Sequence, residues 1–369
     1  MSKFIPLSEP HINGNEWKYV KECLDTGWVS SVGKFVDAFE SKIADYTGAK
    51  HAVACVNGTA ALHTALMVSG VCSGDEVLVP TLTFIAPINA VKYIGADPVF
   101  FDCDDYYCLD SAKVIEFIQN KTEFRNGYTY NSLTGKRISA LIVVHVFGNA
   151  ANLKEWVGIC RERNIRVIED STESLGTRYL DGTHTGTVGD LGCFSFNGNK
   201  IITTGGGGML ITNNSGYAER AKYLTTQAKD DGLYYVHHEV GYNYRLTNIQ
   251  AAIGLAQMEQ LDDFVSKKRS FYDRYKETLE IAAVPDYAFN NCWMVALRVV
   301  ERDALMKRLS EANIQARPIW ALNHLQKPYL SCETYHIEKA LDLMDHTLNL
   351  PCSVGMKIED VESVMRAVR

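Results

Sequence analysis

From residue 51 the chain alternates two kinds of segment, and this constrains its fold more than any other feature. "HAVACV" (51–56) reads as a strand and "GTAALHTALMVSG" (58–70) as a helix. "EVLVP" (76–80) reads as a strand, "FIAPINAVKYIG" (84–95) as a helix and "PVFFD" (98–102) as a strand. The pattern resumes with "SALIVVHV" (139–146), "LKEWVGICRERN" (153–164) and "IRVIED" (165–170). Strands alternating with helices predict a mostly parallel sheet covered on both faces. Ligands of such sheets bind beyond the carboxyl ends of the strands. Three polar stretches fall there: "NGTA" (57–60), "PTLTF" (80–84) and "DSTES" (170–174).

The flanking segments are helical. "NEWKYVKECLDTG" (15–27) predicts a helix with Trp17, Val20, Cys23 and Leu24 on one face, ended by Gly27. "KFVDAFESKIADYTG" (34–48) predicts another, with Phe35, Phe39, Ile43 and Tyr46 in register. Residues 122–138 break the rhythm with two turn signals and predict a β-hairpin insertion. Beyond residue 245 the pattern changes. Residues 248–279 predict one long amphipathic helix leading to a smaller domain, with strands near "CWMVALRV" (292–299) and "QARPIW" (315–320). The expected division is a large domain over 1–250 and a small one over 251–369.

Composition narrows the function. A net charge of −7 leaves no basic field for nucleic acid, so an anionic ligand must be held by local groups. The ten cysteines are scattered singly, with no zinc spacing, and no metal is expected. With no signal peptide in "MSKFIPLSEP", they read as reduced thiols of a cytoplasmic protein. No apolar run reaches the length of a membrane span.

The stretch "FSFNGNKIITTGGGG" (194–208) carries the strongest chemical signal. Its glycines are consecutive and precede a strand-like "MLIT", which argues against a dinucleotide fingerprint. Lys200 lies between two apolar runs. A lysine in such surroundings can act as nucleophile or base, and can form a Schiff base with a carbonyl cofactor such as pyridoxal phosphate. That cofactor needs an acid against its ring nitrogen. Asp170, at the end of "IRVIED", is the candidate, although a strand-terminal Asp also caps helices. Backbone N–H groups of Gly58, Thr59 and Ala60, at a strand-to-helix turn, suit a phosphate. Ser195 could add a donor and Phe84 could stack on the ring.

In these motifs the chain resembles the DegT/DnrJ/EryC1/StrS family of nucleotide-sugar aminotransferases. The matching stretches are 56–66, 80–91, 167–176, 194–209 and 241–257, in the family's order and over nearly the whole length. The resemblance implies the type I aspartate-aminotransferase fold, with a seven-stranded-type sheet between helices and a smaller C-terminal α/β domain. It also implies pyridoxal phosphate as cofactor. Lys200 would bind that cofactor covalently and move the proton, Asp170 would pair its ring nitrogen, and Glu173 would contact its phenolic oxygen. Gly58, Thr59 and Ser195 would hold the phosphate, with Phe84 on the ring. Asn243 in "GYNYR" would reach the cofactor phosphate of a second subunit, making a homodimer with shared sites. The glycines after Lys200 would let the backbone pass close beneath the cofactor. The run "GGGG" departs from the commoner "GEGG".

The C-terminal half is similar to the branch that makes 4-amino-4,6-dideoxy sugars for legionaminic acid and bacillosamine. There, L-glutamate aminates C4 of a UDP-linked 4-keto-6-deoxy-2-acetamido sugar for bacterial surface glycans. Perosamine synthases, acting on a GDP-linked 4-keto-6-deoxy sugar, are the alternative, as is a C3 aminotransferase on a dTDP-linked 3-keto sugar. Arg317 is the leading substrate-side cation. Trp28, Trp320, His237 and His324 are further substrate candidates, and Lys136 and Arg137 on the hairpin are weaker ones.

Overall fold

The computed structural model describes residues 3–154 and 156–369. A large sheet is built from β1 (His51–Cys55), β2 (Glu76–Pro80), β3 (Asp97–Phe101), β4 (Thr122–Arg125), β5 (Tyr128–Asn131), β6 (Arg137–Val144), β7 (Arg166–Asp170), β9 (Leu191–Ser195) and β10 (Gly208–Thr212). Between β7 and β9 lies the short β8 (Arg178–Tyr179). The order across the sheet is β1-β10-β9-β7-β6-β2-β3. All of these run in one direction except β10, which is antiparallel to both neighbours. This is a mixed, mostly parallel sheet, as the family resemblance implies.

The strands are continuously apolar because each face meets its own core. Val77 and Val79 join one cluster, and Leu78 between them joins the other. Ala140, Ile142 and Val144 point to the first core, while Leu141 and Val143 point to the second. Helix Ser111–Asn120 brings Val114, Phe117 and Ile118 to the second core. Helices Lys34–Thr47 and Gly58–Val68 supply Phe39, Ile43, Leu62 and Leu66 to the first.

The hairpin insertion is present. β4 and β5 pair through Asn126 and Gly127, both at positive φ (52° and 79°), the geometry of a tight hairpin turn. β5 then adds to the start of β6.

Two local readings change. Helix Glu16–Thr26 ends at Gly27 in the left-handed region as expected, but its buried face is turned by one residue. Glu16 and Cys23 are buried, whereas Trp17 and Leu24 are exposed at 75% and 56%. The cause is polar: the Glu16 carboxylate accepts from Gly14 N (2.7 Å), Gln260 Nε2 (3.1 Å) and Gln257 Nε2. The long helix is two, Asn248–Met258 and Leu261–Lys276. At the break, Glu259 accepts from Asn15 Nδ2 and Tyr19 Oη, both at 2.6 Å, so the corner is fastened to the N-terminal segment.

A second sheet, β12 (Val295–Arg298), β15 (Thr347–Leu350) and β13 (Arg317–Pro318), forms in the C-terminal part. β11 (Ala288–Phe289) pairs with β8. β14 (Thr334–Tyr335) returns to the large sheet beside β3. Near the N-terminus, Ile5 bridges Ile314.

Candidate active site

The carboxyl ends of β1, β2, β6, β7 and β9 open on one cavity of about 610 Å³. Among its lining residues are Gly58, Thr59, Phe84, Asp170, Glu173, Ser195 and Lys200, with Arg317 and Trp320 from the C-terminal part. Segments far apart in the chain thus meet because parallel strands end on one edge.

At the β1 end, Asn57 caps helix Gly58–Val68 by accepting from Ala60 N at 2.8 Å. That bond commits the Ala60 N–H, so Ala60 is not the free donor read from the sequence. Gly58 and Thr59 remain at the helix N-terminus facing the cavity. A Cβ on Gly58 would lie 2.8 Å from Ser195 Cβ and 3.2 Å from its Oγ. The missing side chain therefore lets the Ser195 hydroxyl sit against the positive end of the helix. The glycine run packs behind this turn. A Cβ at Gly208 would meet the Asn57 carbonyl group at 2.5 Å, whereas one at Gly206 would come only within 3.3 Å of Gln250 Nε2.

Asp170 ends β7 and is 3% exposed. Burial pushes its pKa up, opposed by a hydrogen bond from Thr172 and by the charge of Lys200. Its Oδ1 accepts from Thr172 N at 3.1 Å. Glu173 is buried beside it, and burial raises its pKa too, against the pull of Lys200. Glu173 Oε2 accepts from Phe147 N (2.8 Å), and Oε1 lies 3.5 Å from Lys200 Nζ. Phe147 is a buried residue at φ 60°, a strained conformation held at the cavity wall, and its ring packs 5.4 Å from that of Trp320.

The loop carrying Phe84 is strapped from the C-terminal part. Asn323 Nδ2 donates to the carbonyls of Thr81 (3.1 Å) and Thr83 (2.8 Å). His324 Nδ1 pairs with Thr81 Oγ1 at 2.6 Å, and burial lowers its pKa. His324 thus stands behind the loop rather than among the cavity residues.

Other residues singled out from the sequence lie elsewhere. Trp28 is 56% exposed and lines a separate groove, its carbonyl accepting from Asn248 Nδ2. His237 is exposed, its Nδ1 2.8 Å from the Gln227 carbonyl. Asn243 is exposed, on a segment whose Tyr244 carbonyl accepts from Val56 N at 2.7 Å. Lys136 and Arg137 sit at the amino end of β6, the far edge of the sheet, paired with Asp97 and Asp75. Carboxylates there engage both cations. Sequence reading missed Asn57, Phe147, Trp293 and Asn349, all lining the cavity. Of these, only Asn57, directly before the helix start, carried a local signal.

The sequence model of the DegT/DnrJ/EryC1/StrS aminotransferase family matches residues 10–369. The chain belongs to that family. It is similar to the GDP-perosamine synthase of Escherichia coli O157:H7, 38% identical over 374 residues, covering 99% of this chain and 98% of the relative. The GDP-perosamine synthase of Caulobacter vibrioides is also 38% identical, over 380 residues, covering 99% and 97%. Among solved structures, a DegT DnrJ EryC1 StrS aminotransferase from Brucella abortus superposes with a TM-score of 0.89 at 26% identity, over 96% of this chain and 94% of that one. The chain is thus a pyridoxal-phosphate-dependent aminotransferase of the sugar aminotransferase family. No helix among the described residues is long and apolar enough to cross a membrane.

The cavity suits this cofactor on its own geometry. A side-chain-free helix start backed by a serine hydroxyl matches a phosphate. A buried carboxylate with few protein donors matches a protonated ring nitrogen, and a lysine beside a second carboxylate matches the covalent attachment point.

Proposed function

We propose that this family member transfers the amino group of L-glutamate to the C4 ketone of a nucleoside-diphosphate-linked 4-keto-6-deoxy hexose. The observation that supports it best is the convergence of Lys200, Asp170, Glu173, Gly58 and Ser195 on one cavity that also presents Arg317, a guanidinium with no carboxylate partner among the described residues.

Bound there, the cofactor supplies an electrophilic carbonyl and a ring that accepts electrons. Asp170, in a dry setting, would keep a proton on the ring nitrogen. Gly58, Thr59 and Ser195 would hold the phosphate, and Phe84 would stack on the ring. Glu173 would contact the phenolic oxygen while staying near the Lys200 amine. Lys200 Nζ takes the α-proton from glutamate in one half-reaction and delivers a proton to sugar C4 in the other. Arg317 faces the substrate's anionic part. Trp320, at the cavity wall, bounds the sugar pocket. Asn243 reaches a partner's phosphate in a homodimer.

Two nucleotide readings stand. The relatives named GDP-perosamine synthase favour guanosine. The resemblance of the C-terminal half to the legionaminic and bacillosamine branch keeps the UDP-linked 2-acetamido sugar as the second. The product would enter surface-glycan assembly in the cytoplasm. The test is incubation of cofactor-loaded protein with L-glutamate and 4-keto-6-deoxy sugars on GDP and UDP, read by mass spectrometry. An amino sugar from one nucleotide series is expected. Failure to aminate any of them overturns the reading.

A further inference from the structure

We propose that Trp293 is a positioning residue for the lysine: its indole face holds the Lys200 amine whenever that amine is not covalently engaged. The inference rests on the reading of Lys200 given above.

Lys200 Nζ lies 4.5 Å from the centre of the Trp293 ring and 3.5 Å from Glu173 Oε1. Its side chain is 13% exposed and lines the cavity, so the amine is largely withdrawn from water. A cation over an indole face is attracted by the ring's electron density, and indole is the best such face among side chains. A lysine stem is flexible, so without a resting place a freed amine would sample many positions.

Trp293 is itself fixed relative to both groups it serves. Its Nε1 donates to the carbonyl of Asn199, the residue before the lysine, at 2.7 Å. Its backbone N–H donates to Asn291 Oδ1 (2.9 Å), and Asn291 Nδ2 donates to the Glu173 carbonyl (2.9 Å). The Trp293 carbonyl accepts from Lys268 Nζ (3.0 Å), a buried amine that also binds the Cys352 carbonyl (2.8 Å). These bonds fix the indole relative to the segments bearing Lys200 and Glu173, so the ring face keeps its place beside the amine. Held this way, the freed amine rests beside Glu173, where the proton transfers assigned to it take place.

The test uses the apoprotein, so it is independent of the sugar substrate. Reductive methylation of Lys200 is followed residue by residue by mass spectrometry at fixed pH, for wild type, Trp293→Phe and Trp293→Leu. Loss of the ring face should raise the Lys200 rate by about 2- to 5-fold in Trp293→Leu, with Trp293→Phe in between and other lysines unchanged. Wild-type protein grown with 5,7-difluorotryptophan keeps the ring's shape but weakens its attraction for a cation. It should shift the Lys200 rate in the same direction, and it decides the matter if Trp293→Leu does not fold. Equal Lys200 rates in wild type and Trp293→Leu, or no effect of fluorination, overturn the proposal.

Discussion

Lys200 Nζ lies 3.5 Å from Oε1 of Glu173, at the meeting of two chain segments that leave adjacent parallel strands, β9 and β7. Each is polar, each is largely withdrawn from water, and each is where strand order and direction place it. Replacing Lys200 by alanine should remove the covalent attachment and the proton carrier together. Turnover with L-glutamate should fall by roughly three orders of magnitude or more, since covalent and acid–base contributions are both lost. The absorbance above 400 nm of the loaded protein should vanish while its circular dichroism stays unchanged. Near-normal turnover would remove Lys200 from the site.

Asp170 permits a prediction whose sign depends on pH. Burial raises its pKa in the folded protein, so the folded state binds the proton more tightly than the unfolded chain. The contribution of Asp170 to apoprotein stability is therefore most favourable below the ordinary carboxylate range. It is lost as pH rises through the raised folded value. Asp170→Asn should leave the bond from Thr172 N in place and remove this penalty. At pH 7 to 8 the apoprotein variant should melt higher by about 1–3 °C. The difference should shrink towards zero as pH falls to about 4. The same variant should transfer amino groups far more slowly. A lower melting point at neutral pH would show that the carboxylate is stabilised by partners rather than strained by burial.

Much of this was legible in the sequence, for a physical reason. Residues at the carboxyl ends of parallel strands converge whatever their spacing, so Gly58 and Asp170 could be placed on one edge from strand periodicity, while Ser195 was drawn in by the resemblance to the family. Trp293 and Asn349 could not. They arrive from the C-terminal sheet, and only tertiary packing brings them to the cavity. The rotation of helix Glu16–Thr26 was hidden because a buried carboxylate, Glu16, outcompeted the apolar side chains for the inner face. The break after Met258 carries no glycine or proline. It follows from bonds to Asn15 and Tyr19, more than 200 residues away.

The helix start at Gly58 should tolerate no side chain without a response from Ser195. In Gly58→Ala the new Cβ meets Ser195 Cβ at 2.8 Å, so the serine must shift and its hydroxyl leaves the phosphate position. Affinity for pyridoxal phosphate should fall roughly tenfold, the scale of one charge-assisted hydrogen bond. Adding Ser195→Gly should relieve the clash without restoring the donor. The double variant should then bind about as weakly as Ser195→Gly alone, which a double-mutant cycle by fluorescence titration would detect. Additive losses would mean that the two residues hold the phosphate independently.

Asn243 is exposed and outside the cavity of its own chain, yet it lies in one of the stretches through which the chain resembles its family. If it completes a partner's phosphate site, neither subunit is sufficient alone, and the assembly is a two-fold dimer with isologous contact. Mixing Lys200→Ala with a severely impaired Asn243→Ala variant tests this. In each heterodimer one site would carry both lesions and the other neither, so part of the wild-type activity should return. Subunit exchange under mild denaturant, refolding and assay would measure it, with heterodimers confirmed by native mass spectrometry. A statistical mixture makes half of its dimers mixed, each with one intact site, so recovery should approach about a quarter of wild type. No recovery in confirmed heterodimers would assign Asn243 to its own chain, and a monomer in sedimentation would remove the shared site altogether.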